Sequence, residues 1–294
     1  MTDPMVDEAR IYDRGYRRYE GERTEVRGAI RSLVKYSIRH ALGFGRSARH
    51  KVVPFAIIVM AYLPATVFTG IAAIVPVGTE EFLPTYAGYY GFVAATIYLL
   101  AGFVSPELLC ADRRTGLLGV YLASPLSRPT YLMGKALSVF AMLLLVTLGP
   151  PLLMLIAFSL QNLGPDGFGE WLRVFGRILI SSAVIGSLYT AVSLAVGATT
   201  DRTSVATATI LALIPGSATI TDIVVDLGEV TPHLRLLNLL FLPRALIFRI
   251  HGEIEGGWPA SENPTWTLWL ACAAWVGLSV GWIWYRYRTL LVRR

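Results

Sequence analysis

Six long stretches without a charged residue constrain this chain more than any other feature of its sequence. They cover residues 52–79, 82–106, 136–165, 178–200, 203–221 and 263–285, and each contains at least 19 residues. An α-helix needs about 20 apolar residues to cross the hydrocarbon core of a bilayer. Lipid cannot satisfy open backbone groups, and the stretches lack the alternating pattern of a transmembrane β-barrel. We therefore predict an all-α membrane protein with six transmembrane helices.

The predicted helices divide the chain into a membrane domain and its flanking segments. The spans are placed at approximately 52–75, 86–110, 135–160, 174–197, 203–224 and 265–285, within a transmembrane domain of residues 52–285. A polar tail at 1–23 and a helical segment at 24–51 precede this domain, and a basic tail at 286–294 follows it. Residues 1–51 contain no apolar core of signal-peptide length, so the first span is expected to act as the insertion signal.

The distribution of lysine and arginine predicts the orientation of the spans. Of the 26 such residues, 21 fall within 1–51, 111–135, 201–202 and 286–294, which share one side of the membrane if the six spans alternate. The positive-inside rule assigns this side, with both termini, to the cytoplasm, and we expect a multi-pass protein of the plasma (inner) membrane. The net charge of +6 follows from this segregation, so anionic membrane lipid is the expected partner, and nucleic acid is not.

Two further helical segments are expected outside the spans. Residues 30–42 repeat apolar side chains at helical spacing opposite a basic side, which predicts an amphipathic helix lying along the membrane surface. The basic side consists of Arg27, Arg31, Lys35 and Arg39. The long segment 222–264 has no uncharged run long enough to span, and Pro243 is expected to break its apolar part. We predict a pair of short re-entrant helices there, with a helix lying flat at the interface as the alternative.

Motifs for catalysis and for metal binding are missing from the sequence. No Gly-x-x-x-x-Gly-Lys-Ser/Thr loop occurs, so the chain is not expected to hydrolyse ATP itself. There is no His-Glu-x-x-His motif and no Gly-x-Ser-x-Gly motif, and the two cysteines and four histidines show no ligand spacing. We therefore expect no catalytic residue, no metal site and no cofactor on this chain.

Glu107 is the ionisable residue nearest to the apolar interior of a predicted span. It lies close to the inner end of the second span, directly after an uncharged run. Charged residues within spans often belong to proton or ion pathways, but such a relay needs several partners. Two interpretations remain open, a structural carboxylate paired with a basic residue of the cytoplasmic side and a functional carboxylate.

The segment ADRRTGLLGVYLASPLSRPTYLMGK, residues 111–135, connects the second and third spans. Leu118, Tyr121, Leu122 and Pro125 follow the spacing i, i+3, i+4, i+7, which predicts one apolar face of a short helix. Asp112 is placed near the start of this helix, where a negative charge suits the positive end of the helix dipole. Pro125 is expected to stop the helix by disfavouring helical geometry at the preceding residue.

The remainder of the segment predicts the start of the third span. Ser127 is a candidate N-cap, Pro129 suits the first helical turn, and Lys135 is expected to extend from the helix towards the surface. The short helix would then be joined directly to two membrane helices. It is either an inert surface helix or an element through which a load on its exposed face moves both spans together.

These residues resemble a known pattern. The acid–Arg–x–x–Gly–x–Leu segment, the Pro-Leu-Ser-Arg that follows and the Gly-Lys of the next span are similar to those of type-2 export permeases, membrane subunits of ATP-binding-cassette exporters. The matching positions are Asp112, Arg113, Gly116, Leu118, Tyr121, Pro125, Leu126, Ser127, Arg128, Gly134 and Lys135. The family often has Glu at the position of Asp112 and Thr at the position of Leu117. The six-span layout and the amphipathic N-terminal helix also agree with the family.

The resemblance implies a mechanism and a set of partners. Two membrane subunits, a second copy or a homologous chain, would form the substrate pathway, and cytoplasmic ATPase subunits would bind ATP and Mg²⁺ beneath them. The helix within 112–128 would be the coupling helix seated on the ATPase. Its interface would consist of Asp112, Arg113, Arg114, Gly116, Leu118, Tyr121, Pro125 and Arg128. The substrate-binding residues stay unknown, although the family suggests faces of the second and fifth spans, and the apolar interior favours an amphipathic or lipid-like cargo.

Three other functional classes compete with the exporter interpretation. An ion-coupled secondary transporter with six spans is the main alternative, but it conflicts with the scarcity of charges within the spans. An intramembrane enzyme would need a nucleophile–base pair or a metal constellation, which the motifs do not provide. A purely structural anchor would not need the patterned segment 111–135.

Overall fold

The computed structural model of the protein describes residues 25–45, 47–74, 83–228, 231–253 and 263–289. The predicted tail at 1–23 and the last residues of the predicted basic tail, 290–294, lie outside these ranges. The described chain forms ten α-helices and one 3₁₀ helix. The α-helices are α1 (Glu25–Ala41), α2 (Ala48–Ile74), α3 (Tyr86–Arg114), α4 (Leu117–Ala123), α5 (Arg128–Thr147), α6 (Gly149–Leu160), α7 (Gly167–Thr199), α8 (Thr203–Gly228), α9 (Phe241–His251) and α10 (Thr265–Thr289). The 3₁₀ helix covers Pro232–Leu237.

Six helical units in the described chain are long and apolar enough to cross a membrane, which confirms the predicted all-α membrane fold. They are Lys51–Ile74, Tyr86–Arg114, Arg128–Leu160, Gly167–Thr199, Thr203–Gly228 and Thr265–Thr289. Two of the helices begin before the apolar stretch that was predicted to cross the membrane, and for the third span this start at Arg128 is the one that a cap at Ser127 predicts. The span predicted at 135–160 begins at Arg128, and the one predicted at 174–197 belongs to a 33-residue helix that begins at Gly167. In both cases the first turns of the helix contain charged residues. Hydropathy detects only the apolar part of a helix, so these turns were not assigned to the span.

The third span is interrupted at Leu148, between α5 and α6, directly before the sequence Gly149-Pro150-Pro151. Proline has no backbone N–H, so the carbonyl four residues before each proline loses its helical partner. The hydroxyl of Ser182 on α7 donates to the carbonyl of Thr147, 3.0 Å away, and so replaces the N–H that Pro151 lacks. A neighbouring helix therefore supplies the hydrogen bond that this carbonyl lacks, as a membrane interior requires.

The helices α3 and α7 form the centre of the bundle. In the apolar part of each helix, 61% of the residues of α3 and 72% of those of α7 are buried. In the apolar part of α8 only 17% of the residues are buried, so most of its surface is uncovered. The two ends of the bundle differ in charge. The basic end holds α1, α4, the end of α3, the start of α5, the end of α7 and the end of α10. The opposite end holds the 3₁₀ helix, α9 and the starts of α7 and α10.

A short hairpin, formed by the 3₁₀ helix and α9, enters the bundle from the opposite end. At its tip the hydroxyl of Tyr189 donates to the carbonyl of Leu239, and Ser217 on α8 accepts from the N–H of Leu239. Tyr189 lies 22 residues after the start of α7, a distance of about 33 Å along a helix axis. Contact at this depth favours the re-entrant arrangement over a helix lying flat.

The expectation that Pro243 breaks the apolar part of this segment is wrong. Pro243 lies in the first turn of α9, where its missing N–H has no helical partner to lose. The chain instead turns at Asn238, whose side-chain oxygen accepts hydrogen bonds from the N–H groups of Leu240 and Phe241. This capping interaction starts α9 at the tip of the hairpin.

Candidate coupling site at the basic end

The short helix α4 connects α3 and α5 at the surface of the basic end. It begins after Gly116, whose φ of +73° lies in the left-handed region that glycine adopts without strain. It ends at Ser124, immediately before Pro125, and α5 starts with Ser127 as N-cap in a reciprocal capping box with Thr130. The predicted helix stop at Pro125 and the predicted cap at Ser127 are confirmed.

Asp112 does not lie at the start of this short helix, so that prediction is wrong. Residues 112–114 form the last turn of α3, and the backbone leaves the helix only at Gly116. The Asp112 carboxylate is buried and points towards α5, where Lys135 Nζ lies 2.7 Å from its Oδ2. The hydroxyl of Tyr131 donates to the same oxygen at 2.9 Å. The acid therefore joins the second and third spans.

Lys135 is also placed differently from the prediction that it reaches the surface. Its side chain is only 1% exposed. The ammonium group lies 5.5 Å from the ring centroid of Tyr121 and 5.7 Å from that of Tyr131, within cation–π range. Because Tyr121 belongs to α4, the buried ion pair holds the short helix as well. Burial and the charge of Asp112 raise the pKa of Tyr121, so its hydroxyl stays protonated at neutral pH.

Arg113 fastens the end of α3 to the end of α7. Its guanidinium group donates to the carbonyls of Gly197 and Ala198, at 2.5 and 2.8 Å, and to that of Thr200. Its Nε lies 3.1 Å from a carboxylate oxygen of Asp201. The last carbonyls of a helix lack internal donors, and a cation at this position also interacts favourably with the helix dipole. Arg113 thus caps α7.

Arg128 makes an equivalent contact with α10. It donates to the carbonyls of Tyr287 and Arg288, at 3.2 and 3.1 Å, in the last turn of that helix. The ring of Tyr287 in turn lies 6.3 Å from the ring of Tyr131 and 5.9 Å from the guanidinium carbon of Arg113. We call Asp112, Arg113, Arg128, Tyr131 and Lys135 the junction cluster. It connects α3, α5, α7 and α10 at the point where α4 is attached.

The amphipathic helix α1 packs against the same region. The side chain of Leu33 covers Gly134 so closely that a Cβ at this glycine would lie 2.7 Å from Leu33 Cδ2. His40 Nε2 lies 3.6 Å from a carboxylate oxygen of Glu107, which is 29% exposed. Glu107 therefore joins α1 to α3, which supports a structural interpretation. A functional role for Glu107 stays a prediction.

The eight residues predicted for the coupling interface fall into three groups. Arg114, Gly116 and Pro125 are exposed at the surface. Leu118 and Tyr121 are half-buried and pack against the core, so they hold α4 in place. The side chains of the remaining three, Asp112, Arg113 and Arg128, are engaged in the junction cluster. Val120, which the sequence analysis did not identify, is 66% exposed and lies on the solvent-facing side of α4, which we call its outward face.

Sequence reasoning missed several members of this site. Tyr131, Tyr287 and Asp201 carry no motif of their own, and their partners lie 19 to 174 residues away along the chain. The available signal was the pair of charges Asp112 and Lys135, which lie close to the ends of predicted spans, where a buried charge is unfavourable without a partner. In the described part of the chain, no group of three His, Cys, Asp or Glu residues could hold a metal ion.

Comparison with known protein families matches residues 9–287 of the chain to the family described as ABC-2 family transporter protein. The match covers nine of the α-helices completely, including α1 and α4, and all of α10 except its last two residues. No curated protein matches the chain.

Proposed function

Because this chain belongs to the ABC-2 transporter family, we propose that it is the membrane subunit of an exporter driven by separate ATP-hydrolysing subunits. The family and the six apolar helices make it a multi-pass membrane protein. The direction of transport, the ATPase partner and the dimeric pathway are parts of the proposal. So are the cytoplasmic position of the basic end and the plasma membrane as its location, for which the distribution of basic residues is the support.

The observation that carries this proposal is the attachment of α4. A surface helix of seven residues is joined through Tyr121 to a buried ion pair, and its two flanking helices are fastened to α7 and α10. A force on the outward face of α4 therefore acts on four membrane helices rather than on a flexible loop. A connection that needed only positive charge would require none of these contacts.

The proposed mechanism uses the junction cluster as a rigid link. When the ATPase subunits close on ATP and Mg²⁺, they press on α4, and the load moves α3 and α5 together. Through Arg113 and Arg128 the same displacement reaches the ends of α7 and α10. Such coupling requires one element with two positions that the partner's nucleotide state biases. ATP is bound and cleaved entirely on the partner, so this chain contributes no catalytic group.

A second membrane subunit is part of the same proposal. The helix α8 is the least covered span, and large apolar side chains such as Ile220, Ile223 and Leu227 are exposed along it. Exposed apolar surface is normal towards lipid, but a pathway between subunits also needs an uncovered face on each. A second copy or a homologous chain against α8 and α3 would enclose that pathway.

Charge reversal at the outward face tests the coupling. Arg114 gives the cleaner test because its side chain is exposed, whereas Arg113 caps α7. We expect Arg114→Glu to reduce ATP-dependent transport at least tenfold while the protein keeps its fold. Arg114 ends α3, and two residues separate it from the start of α4. Arg202→Glu is the matched control, since Arg202 is an exposed arginine of the basic end that lies outside the segment 111–135.

Purification in mild detergent from the native host provides the first measurement. A stoichiometric ATPase subunit is expected to accompany the wild-type chain and the Arg202→Glu variant. If no ATPase accompanies the wild-type chain, the proposal is wrong. Full transport by Arg114→Glu would contradict the role of α4 while leaving the transporter family unaffected.

The ion-coupled secondary transporter is the alternative class. The two classes respond differently to the energy source: ATP depletion stops an exporter of this type, whereas collapse of the ion gradient stops a secondary transporter. The charged groups nearest to the apolar interior of the basic end are engaged in pairs, Asp112 with Lys135 and Glu107 with His40. This engagement favours the exporter.

A further inference from the structure

A basic groove lies along α1. It has a volume of about 600 Å³. Its lining includes Ser32, Lys35, Tyr36, Arg39, His40 and Phe44. The left-handed Gly43 turns the chain back, and the N–H of Phe44 donates to the carbonyl of Arg39, so Phe44 closes one end of the groove. We call this feature the α1 groove.

The polar groups of the α1 groove match the chemistry of a phosphodiester. Lys35 and Arg39 present two cationic side chains at its surface, and Ser32 and Tyr36 add hydroxyl groups. His40, which also lines the groove, pairs with the carboxylate of Glu107. Charge-assisted hydrogen bonds from lysine and arginine to phosphate oxygens are short and strong. The groove therefore favours an anion of phosphate size.

The surroundings of the groove indicate where this phosphate comes from. The ring of Phe44 contacts that of Phe55 on α2, with centroids 6.1 Å apart, and both side chains are exposed. The same stretch of α2 exposes Val52 at 63% and Val59 at 61%. A polar groove thus continues directly into an apolar surface on the first spanning helix. Only an amphipathic ligand uses both parts.

We propose that the α1 groove binds one anionic phospholipid, with its phosphodiester between Lys35 and Arg39 and an acyl chain along the exposed face of α2. The lipid would hold α1 against the membrane surface at the place where α1 packs on α3 and α5. Basic pockets at the cytoplasmic side of membrane proteins bind such headgroups. The proposal does not depend on the transported substrate or on the ATPase.

Native mass spectrometry of the full-length protein measures the bound lipid directly. The protein is reconstituted in nanodiscs containing equal amounts of phosphatidylglycerol and phosphatidylcholine, then released, and retained lipid is counted. The groove variant is Lys35→Gln with Arg39→Gln. The matched control is Arg27→Gln with Arg31→Gln, which removes the same charge from exposed positions of the same helix outside the groove.

We expect one retained phosphatidylglycerol on the wild-type and control proteins. The groove variant is expected to bind it more weakly by about fivefold per lost cation, roughly 25-fold in total. Equal retention of both lipids by the wild-type protein would overturn the proposal, as would equal loss from groove and control variants, because diffuse charge would then explain the binding.

Two further measurements distinguish a bound phospholipid from free phosphate and from an acidic protein segment. Inorganic phosphate at millimolar concentration is not expected to displace the lipid, because it cannot occupy the apolar surface of α2. Displacement by phosphate alone would show a plain anion site and contradict the proposal. Loss of a co-purifying protein from the groove variant, with lipid retention unchanged, would assign the groove to an acidic protein segment and also contradict it.

Discussion

Two ion pairs at opposite ends of the bundle have the same separation and different surroundings. At the basic end, Lys135 Nζ and Asp112 lie 2.7 Å apart with side chains that are 1% and 7% exposed. At the opposite end, an Arg235 nitrogen and Asp226 also lie 2.7 Å apart, but the aspartate is 62% exposed. The first pair joins two spans. The second joins the end of α8 to the neighbouring 3₁₀ helix, nine residues further along the chain.

Because of this difference in burial, the pair at the basic end can hold two spans together, whereas the pair at the opposite end is only a local contact. Water screens the exposed pair, which contributes little to stability. The buried pair has given up its hydration, so its charges depend on each other and on Tyr131. A displacement of α3 relative to α5 would therefore leave a buried charge without a partner. The basic end resists such a displacement, and the two spans are expected to move as one unit.

Removal of one member of the buried pair should have the largest effect. We expect Asp112→Ala to destabilise the protein by about 3–5 kcal/mol, because Lys135 is left charged and buried. The melting temperature in detergent measures this loss. An unchanged melting temperature would show that water reaches Lys135 and would remove the contrast between the two ends.

A double variant sharpens the same test. Asp112→Leu with Lys135→Met replaces the pair by apolar side chains of similar volume, which is often neutral for stability. We expect it to recover most of the stability lost in Asp112→Ala while transport stays impaired, since the junction no longer specifies the relative position of α3 and α5. Full transport by the double variant would assign the pair a purely structural role.

The contact between α1 and α5 should give the next largest effect. Gly134→Leu places a branched side chain where Leu33 already lies within 2.7 Å of an added Cβ. Overpacking of this kind costs about 1–3 kcal/mol, and α1 is expected to detach from the bundle. Met133→Leu is the control, because Met133 is 49% exposed on the same turn. Protease accessibility of α1 and the melting temperature report the change; equal protection of both variants would contradict it.

A pH dependence is expected from the opposite end. Burial, and then the charge of Arg177, lower the pKa of His251 to about 4. In the unfolded chain this pKa is about 6.5, so the unfolded state binds a proton first as the pH falls. The stability contributed by neutral His251 is present above pH 6.5 and is lost between pH 6.5 and 4. From pH 7 to pH 5 the loss amounts to about 2 kcal/mol.

Thermal unfolding of wild-type protein and of His251→Gln at both pH values isolates this effect. The glutamine variant is expected to lose about 2 kcal/mol less than the wild type over the same interval, because glutamine does not titrate. Identical pH profiles would show that His251 gains a proton without leaving its site.

The exposed pair should give the smallest effect. We expect Asp226→Ala to change stability by less than about 1 kcal/mol, because the carboxylate remains largely in solvent. Salt in the buffer should reduce even this difference. A loss comparable to that of Asp112→Ala would mean that the 3₁₀ helix depends on this contact, and the two ends would then be equivalent.

The sequence by itself determined the features that depend on neighbouring residues. The six spans follow from runs of apolar residues, and the end of α4 follows from Pro125, which restricts the backbone of the residue before it. Ser127 and Pro129 likewise mark the start of α5 through local hydrogen bonding and a fixed φ. These rules act within a few residues, so one sequence is enough to apply them.

Only the tertiary structure decided which way the charges of the basic end point. The sequence predicts surface positions for three charged residues, Asp112, Arg113 and Lys135. In the structure each of these side chains is at most 7% exposed. Their orientation depends on how α3 and α5 are rotated about their axes, and packing against α7 and α10 sets that rotation. A buried charge is stable only beside its partner, and here the partners come together through contacts between helices far apart in the chain.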